Sequence, residues 1–299
     1  MNELILKGID GANPLGFLAA VGTVTIAKQF SNEISMSWRR EFGSWRPILV
    51  GDLNNETSFS DNLAKALSEA SEDAFEAEKK LPFSAKEFAK LLKEASEKAT
   101  PDNRRTVDFF SAFGSEVCID KENFQDTLFR MVRSGDAAGQ GFLFYARSIR
   151  DSTNAVEIYH TLFEPWEYKD KGYSLRWDPN EDQRYALRWD DPSKNKDPTI
   201  NSANALAIEA LPLFPTLPTA GRLATTAFFS YRGRDFFTWP IWNETISVEV
   251  IRSLLSLKDL HVEIPPRKQL LARGIVEIYR CERIAPNKYY KNFAPAVPA

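Results

Sequence analysis

Short apolar runs separated by turn-forming residues dominate the first fifty positions of the chain. Residues 3–9 read as a strand, and Asp10-Gly11-Ala12-Asn13 is turn chemistry that delivers Pro14 into the first turn of a helix, where its missing N–H is not needed. From Leu15 to about Gln29 the apolar positions Phe17, Leu18, Val21, Val24 and Ile26 surround the axis instead of forming a stripe, so the spacing predicts a helix buried on most of its faces. Strand-like runs at 34–38 and 46–50 flank Glu41-Phe42-Gly43-Ser44 and predict a hairpin.

Between 60 and 100 the period changes. Leu63, Leu67, Ala70 and Ala74 fall at helical spacing, Leu81-Pro82 interrupts, and Ser84-Ala85-Lys86-Glu87 has the form of a capping box, so two antiparallel helices with solvated Lys/Glu faces are expected. A third helix is expected at about 121–133, with Asp120 as N-cap, Phe124, Leu128 and Met131 inward and Gly135 as its stop. A fourth runs from about Thr153 to Phe163 and ends before Pro165.

Tyr173 to Pro179 and Tyr185 to Pro192 are near-copies twelve residues apart, each alternating Tyr, Leu and Trp with small or charged residues. That period predicts two strands of a hairpin turning at Pro179-Asn180-Glu181-Asp182, with the rings on one face and Arg176 or Arg188 on the other. The charged stretch 191–202 is either a partner-contacting loop or a plain connector. Asn204 to Leu211 reads as a helix stopped by Pro212, followed by an extended connector through Pro215 and Pro218. Leu223–Tyr231 and Phe236–Trp242 predict a second hairpin with Arg232-Gly233-Arg234-Asp235 at its tip. A helix at 247–257, with Val250, Leu254 and Leu257 inward, precedes a strand at Ile275–Ile284 and an aperiodic tail. The pattern gives an α+β class: an N-terminal β-α-β-hairpin unit, a helical middle, and β-hairpins with C-terminal helices. Its expected division is 1–165, an α+β domain with a helical insertion, and 166–299, a β-hairpin/helix domain with a basic tail.

Composition narrows the chemistry. The 299 residues include two cysteines, Cys118 and Cys281, in apolar contexts far apart, which fits buried thiols in a reducing compartment. Without a secretory pattern at its start or a long uninterrupted apolar run, the chain is expected to be cytoplasmic and to have no membrane partner. The net charge of −3 is unevenly placed: residues 251–299 carry +5 and residues 1–250 carry −8.

The only histidines, His160 and His261, have no second His or Cys within helix reach, so no metal and no cofactor is expected. No G-x-S-x-G elbow and no P-loop occurs, and Asp190-Asp191 and Glu181-Asp182 are accounted for by turn chemistry, so no catalytic residue is assigned. The Gly-rich stretch 135–141 is either a phosphate cradle before a helix starting near Phe142 or a helix-helix turn.

The positive signal is for phosphate. Arg232 and Arg234 flank Gly233 with Tyr231 and Phe236 beside them, either a finger for a groove or an exposed charged turn. Arg267, Lys268 and Arg273 would share a helix face if 267–273 is helical, and with Lys288 and Lys291 they could track a phosphodiester backbone. Arg222 completes the candidate nucleic-acid-binding set.

Several of these stretches carry a resemblance. Leu6 to Gly22, Trp45-Arg46-Pro47, Arg184 to Asp190, Ala210 to Pro215 and Phe237 to Trp242 are similar to proteins encoded in type I CRISPR loci, especially those of the G (formerly U) subtype. The resemblance implies a non-catalytic subunit of the RNA-guided surveillance complex, similar in role to its large subunit, which contacts the short motif beside the target and helps open the duplex. It also implies partners: the crRNA-bound backbone subunits, target DNA, and a helicase-nuclease recruited for interference. Two other classes stay open, a nuclease or accessory enzyme of a defence locus and a pure scaffold.

Overall fold

The computed structural model describes residues 2–77, 81–132, 140–181, 198–286 and 290–299. The second copy of the Tyr/Leu/Trp repeat, Gly135 to Gly139 and Lys288 lie outside the described residues. Mixed helices and small antiparallel sheets make the fold α+β.

Strand β1 (Asn2–Ile5) leads through the Asp10–Asn13 turn into helix α1 (Pro14–Ala27). Asn13 caps that helix: its Oδ1 accepts from the Leu15 and Gly16 amides at 2.8 and 3.2 Å, a contribution of about 1 kcal/mol. As the all-round apolar pattern requires, nearly every residue of α1 is buried. Strands β2 (Ser35–Glu41) and β3 (Ser44–Gly51) form the expected hairpin. Its two-residue turn puts Phe42 and Gly43 at φ 49° and 87°, the left-handed pair whose twist suits a hairpin.

Helices α2 (Glu56–Glu69), α3 (Asp73–Glu76) and α4 (Ala85–Lys98) fill the expected helical region. Ser84 stands at the α4 N-cap but makes no capping hydrogen bond. Instead the Ala85 amide donates to the Glu122 carbonyl at 3.0 Å, and Ser84 bridges to Asn123. Helix α5 (Arg105–Phe113) was not anticipated.

The helix expected at 121–133 does not form. Strands β4 (Gly114–Asp120) and β5 (Asn123–Asp126) make a hairpin there, turning at Lys121, whose φ is 58°. Residues 127–130 spend their amides on neighbours: Thr127 on the Phe113 carbonyl and Leu128 on Thr225 Oγ1. Phe124 is buried as predicted, but against Phe83, which precedes α4, and Phe88 on α4.

Helices α6 (Phe142–Ser152) and α7 (Ala155–Phe163) follow, α7 capped by Asn154. Short strands β6 (Asp170–Lys171) and β7 (Pro198–Thr199) pair with each other. Tyr173 to Pro179 is not a strand. Arg176 adopts a left-handed φ of 64°, while Leu175 and Trp177 sink into the core and Trp177 Nε1 donates to the Phe129 carbonyl at 2.9 Å. The alternation therefore reports which side chains point inward, not extended pairing. Glu181 does lie in a turn, a short 3-10 one, and is fully buried.

Helix α8 (Asn201–Ile208) precedes two hairpins where one was expected: β8 (Thr216–Thr219) with β9 (Arg222–Thr225), and β10 (Phe228–Tyr231) with β11 (Arg234–Trp242). Short β12 (Ile246–Ser247) enters α9 (Val248–Leu255). Val248, Ile251 and Leu255 form the buried face of α9, whereas Val250 is exposed, so the expected inward face was misplaced. Helix α10 (Arg267–Leu271) leads to β13 (Ile275–Ile284), with the bounds read from the sequence. Strands β14 (Asn292–Phe293) and β15 (Val297–Pro298) give the aperiodic tail a place on β13.

Among the described residues the two larger sheets are β1-β3-β2-β12 and β10-β11-β13-β14 with β15 also on β13, and β4-β5, β6-β7 and β8-β9 are two-stranded. Strand β12 comes from beyond residue 165 yet pairs with β2, and one hydrophobic cluster runs from Leu4 to Phe293. Phe17 of α1 touches Trp38 from the first sheet and Phe237, Trp239 and Trp242 from the second, at ring separations of 5.7–6.4 Å. The indoles of Trp239 and Trp242 donate to the Gly11 and Met36 carbonyls, so these large rings are buried with their polar atoms satisfied. Both cysteines are buried and free. Among the described residues no helix is long and apolar enough to cross a membrane.

Candidate nucleic-acid interface

The β10–β11 hairpin turns on Arg232 and Gly233, both left-handed at φ 50° and 76°. Tyr231 and Arg234 pair directly, as do Phe229 and Phe236. Across the next ladder Phe236 faces Glu282 and Thr238 faces Arg280. Direct partners share a face of an antiparallel pair, so Phe229, Tyr231, Arg234, Phe236, Arg280 and Glu282 stand together on the side of the sheet opposite the core residues Phe237, Trp239 and Cys281.

This face has a defined internal order. The Phe229 and Phe236 rings stack at 5.4 Å and 24°. The Arg280 guanidinium lies over Phe229 at 4.3 Å and donates to Thr238 Oγ1, the Glu263 carbonyl and the Val262 carbonyl. Arg234 lies over Phe236 at 5.4 Å and forks onto the Glu282 carboxylate, and Arg232 lies over Tyr231 at 4.9 Å. A hydrogen bond to the Glu263 carboxylate raises the Tyr231 phenol above its ordinary range.

Two of the other predicted cations are engaged by acids of their own segment. Arg267 of α10 pairs with Glu277 at 2.9 Å and donates to the Ala299 carbonyl, and Arg273 pairs with Asp259 at 3.2 Å. Lys268 is exposed on α10, and Arg222 is exposed at the start of β9, which packs beside β10. Lys291 is half-buried, and burial, then the nearby Arg130 and Arg283, push its ammonium down to about 8. The hairpin tip, the α10 group and Lys291 thus occupy three separate places in the fold, all attached to the sheet containing β13. The exposed ion pairs of Arg267 and Arg273 are weak, so a phosphate can displace the acid from either.

Arg280 and Phe229 are members of this face that the sequence reading did not name. The signal was present: period two along 275–284 sets Arg280 beside Glu282, and period two along 228–231 sets Phe229 beside Tyr231.

A second polar cluster is sealed inside. Asp178 is fully buried and accepts from Asn13 Nδ2 at 3.1 Å, the Tyr168 hydroxyl at 2.8 Å and the Asn180 amide at 2.9 Å. Glu181 accepts from the hydroxyls of Ser174 and Thr199, and Asn292 Nδ2 donates to the Asp178 carbonyl. The cluster ties the α1 cap, the 174–181 segment and β14 together. A closed cluster of this kind fits a structural lock better than a site that receives substrate.

Burial holds the Glu181 carboxyl up at about 7, against an ordinary value of 4.5. The unfolded chain therefore releases this proton from about pH 4.5 while the folded chain keeps it until about 7. Glu181 should lower stability by about 3 kcal/mol in total as pH rises through that window, with no further change above it. Urea unfolding at a series of pH values should show that fall in wild type and lose it in Glu181→Gln; parallel profiles would refute the assignment.

A cavity of about 220 Å³ beside α7, lined in part by Glu157, His160, Trp166 and Asp170, contains none of the predicted cations. His261, at the end of a short helical turn, hydrogen bonds the Leu255 carbonyl that ends α9, at 2.9 Å. Among the described residues no group of three or more His, Cys, Asp or Glu is placed to hold a metal ion. No protein-family model matches the chain, and no curated protein matches it.

Proposed function

We propose that this chain is a non-catalytic, nucleic-acid-contacting subunit of a type I CRISPR RNA-guided surveillance complex. It meets target DNA through the β10–β11 hairpin, and its acidic remainder docks on the crRNA-bound backbone subunits of an assembly that recruits a helicase-nuclease. The observation that carries the reading is the hairpin itself: a tight, left-handed turn presents Arg232 beside Tyr231, with Arg234 and Arg280 behind it on stacked rings. The resemblance of the Leu6–Gly22 and Phe237–Trp242 stretches to type I proteins supports the assembly.

Arg232 has no ion pair among the described residues, whereas Arg234 is held by Glu282. Arg232 is therefore the first hand for a phosphate. In filter binding to duplex DNA between about 50 and 200 mM salt, Arg232→Ala should reduce the log–log slope by about 1, with Arg234→Ala changing it less. An Arg232→Ala slope equal to that of wild type would remove this reading of the tip.

A further inference from the structure

Resting on that reading, we infer that the outer face of β10–β11–β13 is a stacking platform for single-stranded nucleic acid, with bases on the half-buried Phe229/Phe236 pair and the guanidinium planes that lie over it, and the backbone passing Arg232. The hydrogen bonding separates the roles of the arginines. All three donor nitrogens of Arg280 are engaged, by Thr238 Oγ1 at 3.1 Å, the Glu263 carbonyl at 2.9 Å and the Val262 carbonyl at 2.6 Å. Arg234 is forked onto Glu282 in the same way. Two guanidinium groups fixed over two rings offer flat faces more readily than free N–H groups, and flat faces recognise the π-surface of an unpaired base.

A duplex hides those base faces in its own stack. Tight binding to a duplex would rest on many phosphate contacts, of the order of six to ten in strongly salt-dependent proteins. Here Glu282 and Glu263 stand against Arg232, Arg234 and Arg280, so the charge on this face is too nearly balanced to supply them. Stacking does not need that charge. The face therefore selects strands whose bases are splayed, in a complex that must hold opened DNA or guide RNA.

The test uses fluorescence anisotropy with the purified full chain and three labelled probes: an oligo-dT, an oligo-rU and a mixed-sequence duplex. The single strands should bind more tightly than the duplex, and comparing the dT and rU arms tells DNA from RNA. Phe229→Leu/Phe236→Leu keeps apolar bulk without the aromatic planes and should weaken single-strand binding about tenfold or more for each base lost from the platform. Duplex binding and the salt slope should stay unchanged in that variant. Thermal melting of the variant, together with its duplex affinity, reports whether it is folded, and Phe229→Tyr/Phe236→Tyr, which restores the planes, should recover single-strand affinity. Wild-type single-strand binding that is indifferent to the leucine pair, or duplex binding as tight as single-strand binding, would overturn the platform while leaving the nucleic-acid subunit in place. Failure of wild type to bind any of the probes would remove both.

Discussion

Replacing Gly22 with alanine is expected to destabilise the protein by about 3 kcal/mol or more, the upper end of what overpacking a close contact costs. Gly22 lies where α1 crosses α8, and an added Cβ would stand 1.7 Å from the Leu206 carbonyl oxygen and 2.7 Å from its carbon. Both obstacles are backbone, so no side-chain rotamer relieves them; the helices must separate. Separation would open the contact between Ala203, Leu206, Ala207 and the buried face of α1. Urea denaturation should show a lower midpoint with little change in slope. Gly43→Ala provides the contrast. That glycine has open space around it and only a left-handed φ of 87° to defend, so its loss should cost about 1 kcal/mol. Equal midpoints for the two variants would sink the packing argument.

The same contact explains what the Leu6–Gly22 stretch is for. Gly8 approaches the Thr161 carbonyl within 2.3 Å of where a Cβ would sit, and Gly11 would meet Trp38. The Gly11 amide donates to the Trp45 carbonyl, the Leu6 amide to the Pro47 carbonyl, and Arg46 to the Ile9 carbonyl. Asn13 caps α1 and also reaches Asp178. The residues that carry the family resemblance at this end are thus fastening residues, and they report a fold more directly than a chemistry.

Legibility in the sequence tracked whether an element's own pattern decided its structure. Strand β13 could be read to its end residues because Ile275–Ile284 is long, flanked by turn signals and rich in β-formers. The Pro14 helix start and the Phe42-Gly43 turn are local rules, and they hold. At 121–133 a helical spacing lost to tertiary partners: Phe124 packs into the rings of Phe83 and Phe88, and the amides beyond it bond to Phe113 and Thr225. Helical spacing is a weak prior where a two-residue turn offers the same apolar residue a deeper seat.

For the candidate site the tip arginines were visible and their partners were not. Arg234 meets Glu282 across 48 positions, and Arg280 reaches Thr238 across 42. Charge counting along 251–299 gave a basic segment, whereas the fold pairs Arg267 with Glu277 and Arg273 with Asp259. Those two acids are already subtracted in the segment's +5, so what charge counting leaves out is which cations they hold. For Glu181 the turn was legible and the burial was not: the hydroxyls of Ser174 and Thr199, far from obvious in sequence, seat it inside.

Removing the buried Glu209 carboxylate should be the most damaging polar change in the molecule. Glu209 and Arg150 have side chains 1% and 2% exposed and lie 3.3 Å apart. Arg105 forks onto the same carboxylate, its Nη2 at 2.8 Å from Oε1, while Arg150 also reaches Glu72 at 2.8 Å and donates to the Leu67 carbonyl at 3.0 Å. The two guanidinium groups rest over the rings of Phe109 and Phe75. Arginine does not shed its proton at accessible pH, so Glu209→Gln leaves two cations facing a neutral amide, with the partly exposed Glu72 and the more weakly acting Asp151 to balance them. Breaking a buried pair in this way costs about 3 to 5 kcal/mol. Arg150→Met alone removes one cation and should cost less than Glu209→Gln. The double variant should lose clearly less than the sum of the two, because the groups form one network. Urea midpoints for the three variants decide it: simple additivity would mean that Glu209 and Arg150 do not depend on each other, and the buried network would then be no more than a set of neighbours.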